Sequence, residues 1–99
     1  MNDPRFALDQ LREMLDETLR VDTLAEKAAL YSAARILLAD LDIENKKTPR
    51  GLGENIDRAQ WAFGAILGFD ISNGHSAEQH LIWGRQAIKV LKEAFPLNN

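Results

Sequence analysis

The side chains with the most capacity for chemistry are His75 and His80, with Glu78 between them and Asp70 shortly upstream. Imidazole and carboxylate groups together can ligate a divalent metal or relay a proton. The spacing argues against both uses. Residues five apart do not share a helical face, and no third ligand recurs with them. The di-iron pattern of helical bundles needs Glu-x-x-His on two helices, whereas His75-x-x-Glu78 has the reverse order and occurs once. Both histidines are therefore expected to be exposed near a helix start.

Other chemistries lack their parts. Ser32, Ser72 and Ser76 have no nucleophile-elbow context, and Ser76 is better used as a helix cap. The arginine-then-histidine pattern of helical ribonucleases is absent. Gly51-Leu52-Gly53 has neither the strand nor the spacing of a phosphate cradle. Asp9 with Glu13, and Asp16 with Glu17, fall on the polar side of the first helix and read as a solvated face. Cysteine is absent, which removes disulfides and thiolate metal sites. The chain reads as non-enzymatic, without metal or cofactor.

Positive charge collects at Lys46, Lys47 and Arg50, with Arg58, Arg85, Lys89 and Lys92 further on. A DNA-binding regulator would use the basic loop 46–50 and helix 4, with Lys46, Lys47, Arg50, Arg85 and Lys89 as its contacts. Two features weigh against this alternative. The segment joining the last two helices is six or seven residues, longer than a helix-turn-helix allows. The net charge of −3 also opposes phosphate. Residues 1–44 carry ten acids against five bases, and residues 45–99 five acids against seven bases. Two such halves can complement each other within one fold, or polarise a surface for an antiparallel dimer or a basic target.

Every apolar stretch has helical spacing, and no alternating strand pattern occurs. The fold class is all-α: a small four-helix bundle-like domain spanning 1–99, with helices at about 4–20, 24–44, 49–69 and 77–95. Asp3-Pro4 suits an N-cap and first helical position, and Leu8, Leu11, Leu15 and Leu19 form one stripe above a charged face. Asp16 and Arg20 stand four apart in the favourable acid-first order. Thr23-Leu-Ala-Glu26 and Ser76-Ala-Glu-Gln79 are capping-box patterns. Apolar side chains and alanines nearly encircle helix 2, which predicts a central helix. Asn45 to Thr48 is the clearest break. Pro49 can begin helix 3, although Gly51 and Gly53 each weaken that turn by about 1 kcal/mol. Asn73-Gly74 marks a turn.

Helices 3 and 4 each carry a second apolar strip. Trp61 lies nearly opposite the Leu52–Ile56–Phe63 stripe, with Ala65, Gly68 and Phe69 beside it. Trp83, Ala87 and Val90 flank the main stripe of helix 4, and Ile82 points into its polar arc. An uncovered tryptophan forfeits several kcal/mol at ~25 cal/mol per Å². Either the indoles complete a four-helix core, or they anchor a protein–protein interface. Gly64-x-x-x-Gly68 permits close backbone approach, though that spacing has its known force in membranes. A chain of 99 residues without disulfides is a small core, for which oligomerisation is the remaining support. The reading is a small helical interaction protein (an adaptor, inhibitor or chaperone-like protein), homodimeric through helices 3 and 4. Its interface set is Trp61, Ala65, Gly68, Phe69, Ile82, Trp83, Ala87 and Val90. No signal peptide or membrane span is visible, so a cytoplasmic location is expected.

Overall fold

Asp3 accepts a hydrogen bond from the Arg5 N–H at 3.0 Å and Pro4 takes the first helical position, so α1 (Pro4–Glu17) starts where its sequence predicts. In this computed structural model residues 3–47 and 51–95 are described, and the regular elements among them are all helices. The end of α1 comes three residues before the expected Arg20. The Thr18 hydroxyl donates to the Leu15 carbonyl at 2.6 Å and is buried there, a local bond that competes with helix continuation. Leu19 consequently leaves the buried stripe and is exposed. Arg20 pairs with Glu17 rather than Asp16.

The second helix, α2 (Leu24–Lys47), opens on a formed capping box. The Glu26 N–H donates to the Thr23 hydroxyl oxygen at 3.1 Å, and the Thr23 N–H donates to the Glu26 carboxylate at 3.3 Å. The Thr23 hydroxyl, which also donates to that carboxylate, contributes most to holding the Glu26 carboxyl below its ordinary pKa. The helix runs through the expected break at Asn45. Lys46 pairs with Asp42 at 3.0 Å and Lys47 with Glu44 at 3.3 Å, and both cations face the negative end of the helix dipole.

Gly51 adopts φ +71°, so no helix passes through it, and α3 spans Gly53–Leu67 instead of starting at Pro49. Thr48, Pro49 and Arg50 lie outside the described residues. Gly68 closes α3 in the left-handed conformation at φ +89°. The Phe69 and Asp70 N–H groups both donate to the Gly64 carbonyl, at 2.8 and 3.1 Å. The turn that follows spans Ser72–His75. Asn73 and Gly74 both take positive φ there, and the His75 N–H donates to the Ser72 carbonyl at 3.2 Å. Ser76 then caps α4 (Ala77–Ala94) by accepting from the Gln79 N–H at 3.1 Å.

Each helix packs against its neighbours in the chain, and α1 closes the bundle against α4. The ends identify α1 and α4 as antiparallel. Arg5 donates to the carbonyls of Lys92 and Phe95, Asp9 pairs with Lys92 at 2.6 Å, and Asp16 pairs with Arg85. Leu8, Leu11, Leu15, Leu38, Leu41, Phe63, Ile88 and Leu91 fill the centre. Gly84 lets three helices meet: a Cβ there would lie 2.8 Å from the Ala62 Cβ and 2.9 Å from a Leu15 methyl.

The expectation that α2 is central is corrected. Only Ala34, Leu38 and Leu41 of its 24 residues are buried, and it rests on α1 and α3 along that one face. Apolar residues all round a helix show how much surface needs cover, not whether the same chain supplies it. Among the described residues, no helix is long and apolar enough to cross a membrane.

Candidate interaction surfaces

The apolar strips of α3 and α4 meet in an aromatic cluster. The Trp61 and Trp83 rings stack with centroids 6.1 Å apart and an interplanar angle of 17°. His80 meets both edge-on, at 4.8 Å from Trp61 and 5.5 Å from Trp83, and His75 meets Trp83 edge-on at 4.7 Å. Offset or edge-on aromatic pairs of this kind add about 0.5–1.5 kcal/mol beyond their burial. The cluster also pins the loop between the helices. Trp61 Nε1–H donates to the Ile71 carbonyl at 2.7 Å, and His80 Nε2 lies 2.8 Å from the Ser72 carbonyl. A carbonyl can only accept, so Nε2 carries the proton and Nδ1 is the bare nitrogen in the neutral ring.

His80 is 1% exposed, and its Nδ1 has no hydrogen-bond partner. The expected exposed pair of histidines is therefore half right: His75 is exposed and His80 is core. The two rings do meet at the start of α4, edge-on at 5.9 Å. Among the described residues, however, no group of three histidine, cysteine or acidic side chains could hold a metal.

Both indoles are half-buried, between the two alternatives left open by the sequence. They border a groove of about 760 Å³ between α3 and α4, with Ala62, Ala87 and Val90 along it and Arg58, Lys89 and Glu93 at its margins. Four members of the expected interface set, Trp61, Trp83, Ala87 and Val90, are thus brought together. Ala87 is buried and contributes shape rather than area. Phe69 goes elsewhere, stacking on Tyr31 of α2 at 5.3 Å. Gly68 serves as the cap of α3, and Gly64 admits the Tyr31 hydroxyl, which a Cβ would meet at 3.1 Å. Ile82 is exposed, and Ala65 is half-buried one turn after Trp61.

A second uncovered surface lies on α2, which the interface set omits. Leu24 is 73% exposed, Ile36 64% and Ile43 49%. Ala25, Ala28, Ala29, Ala33 and Ala39 are exposed around them. Their signal was present in the sequence as the apolar belt of α2, but it read as core.

The candidate nucleic-acid contacts do not form one free surface. Lys46 and Lys47 end α2, Arg85 and Lys89 stand on α4 beside α1, where Arg85 pairs with Asp16 at 2.8 Å, and Arg50 lies outside the described residues. Arg85 and Lys89 do share a shallow cleft between α1 and α4 with Arg5, Arg12 and Lys92. There Arg12 and Arg85 both hold Asp16, Lys92 holds Asp9, and Arg5 is bonded to carbonyls at the end of α4. The chain matches no protein-family model, no curated protein and no solved structure, so the surfaces are weighed by their geometry.

Proposed function

We propose that this chain is a small non-enzymatic helical protein–protein interaction protein, and that the outer face of α2 is its principal docking surface. The observation that carries the reading is the exposure of Ile36 and Ile43 on one side of a 24-residue helix whose other side is already seated on the bundle. Leaving such side chains in water forfeits about 1.5–3 kcal/mol for each one that could be fully buried. A contiguous apolar face of this kind is the ordinary mark of a contact surface. The tryptophan groove is the lesser surface, because its rings already cover each other and Trp61 Nε1–H is already bonded.

The adaptor, inhibitor or chaperone-like roles all use such a face and differ only in the partner. The alternative, a DNA-binding regulator, draws support from the basic α1–α4 cleft. It is the weaker reading because Asp9 and Asp16 stand among the cations of that cleft and the chain is net acidic, so its field opposes phosphate. Duplex binding at low salt that weakens steeply as salt rises would favour that alternative.

The test is affinity capture with a tagged chain in the cells it comes from, comparing the wild type with Ile36→Glu/Ile43→Glu. Both positions are exposed, so circular dichroism should show the variant folded. Proteins retained by the wild type, further copies of the chain included, should be lost with the variant and kept with Trp83→Ala. Equal recovery by wild type and the α2 variant would remove the α2 reading.

A further inference from the structure

The exposed face of α2 has a register. Ala25, Ala29, Ser32, Ile36, Ala39 and Ile43 are spaced 4-3-4-3-4, the heptad pattern of a coiled-coil seam, and every one of them is exposed. At 100° per residue this seam lies directly opposite Ala34, Leu38 and Leu41, which bind α2 to its own bundle. A partner helix could therefore be received without disturbing the core. We propose that the occupant is a second copy of this chain, its α2 running antiparallel to the first. The inference rests on the reading of α2 as a docking surface and names its partner.

Three observations select that occupant. The first is charge. Asp22 stands just before α2 and Glu26 in its first turn, and Lys46 and Lys47 end the helix after Asp40, Asp42 and Glu44; Asp22, Glu26, Lys46 and Lys47 are all exposed. An antiparallel copy brings Asp22 to the partner's Lys46 at both ends, while Glu26 falls beside the partner's Asp42, whereas a parallel copy sets every acid and every lysine of α2 against its own twin. The second is fit. With Asp22 opposite the partner's Lys46, Ile43 faces the partner's Ala25 and Ile36 the partner's Ser32. Each large side chain then meets a small one, as interdigitated seams require. Arg35, near the centre, is turned toward the Tyr31 ring at 5.7 Å.

The third is area. A 24-residue helix is about 36 Å long and 10–12 Å across, so its outer half presents on the order of 600 Å². Two such faces can bury at most about 1,200 Å², the lower edge of a specific interface. The dimer should therefore be reversible and concentration-dependent. The salt bridges Lys46–Asp42 and Lys47–Glu44 within each copy are exposed, and exposed pairs of this kind contribute about 1 kcal/mol or less, so they do not hold the lysines back.

Light scattering on the full chain, up to millimolar concentration, should show the mass rising from 11.1 kDa toward twice that value. Ile36→Glu should hold it at the monomer mass. Asp22→Lys should weaken association roughly tenfold, and adding Lys46→Asp should restore it, because each dimer contains the pair twice. The chain has no cysteine, so disulfide trapping is clean. Mixed Asp22→Cys and Lys46→Cys chains should cross-link under oxidation, while neither should cross-link to itself, its two copies lying about 36 Å apart. A monomer at every concentration overturns the pairing but leaves the α2 reading to the capture experiment. A dimer that survives Ile36→Glu, or Asp22→Cys chains that cross-link with each other, overturns the antiparallel seam directly.

Discussion

The Asp16 carboxylate on α1 is held by two guanidinium groups at once, Arg85 of α4 at 2.8 Å and Arg12 of its own helix at 2.7 Å. The Arg85 hydrogen bond is the largest influence on its ionisation. Partial desolvation opposes it, and Arg12 adds to it, so the net effect holds the carboxyl below its ordinary 3.8. A depressed folded-state pKa gives stability that is fully present above the unfolded value and is lost as pH falls through the folded one. Asp16→Asn should lower stability at neutral pH by less than about 1 kcal/mol, since the pair is more than a third exposed and screened. The gap between thermal melts of wild type and variant should shrink as pH falls below the ordinary carboxylate range. An undiminished gap in acid would mean that the ion pair is not what the substitution removed.

Gly84→Ala should be costly although alanine is the better helix former. The added Cβ would meet Ala62 at 2.8 Å and Leu15 at 2.9 Å, so α1 and α3 must both give way. Overpacking of this kind costs about 1–3 kcal/mol. Urea denaturation should show that loss. A stability gain, the result expected at an open helical glycine, would exclude the close approach.

His80→Leu should cost little. The substitution removes one hydrogen bond to the Ser72 carbonyl, which still accepts from the His75 N–H at 3.2 Å. It also removes the buried Nδ1 that has no partner. The lost bond and each lost edge-on contact to Trp61 and Trp83 contribute about 0.5–1.5 kcal/mol, and removal of the unsatisfied atom returns about 1–3 kcal/mol, so the effects largely offset and leave a loss of about 1 kcal/mol. A loss above about 3 kcal/mol in denaturant would show that Nδ1 is satisfied in solution.

Trp61→Phe preserves an aromatic ring beside Trp83 but deletes the donor to the Ile71 carbonyl. The expected cost is about 0.5–1.5 kcal/mol. Hydrogen exchange should accelerate in the 70–75 loop and remain unchanged in α1. Uniform acceleration throughout the chain would place the indole in the global core instead.

The helices and most of their ends were legible from local chemistry alone. Asp3-Pro4, the Thr23/Glu26 box and the Asn73-Gly74 turn act through bonds spanning two or three residues and form as their spacing predicts, and of the Ser76/Gln79 box the bond from the Gln79 N–H to Ser76 forms. Local reading failed where a side-chain bond or a backbone conformation intervened, at Thr18 for the end of α1 and at Gly51 for the start of α3. Periodicity and capping chemistry dictate an all-helical chain with more apolar surface than one helix face per element could use. Tertiary structure alone decided which neighbour covered each surface. Trp61 and Trp83 were drawn together with buried His80, while α2 was left at the side of the bundle with Ile36 and Ile43 in water. Periodicity is a property of one helix and burial is a property of two, so a belt of apolar residues cannot say which half of it the rest of the chain will reach.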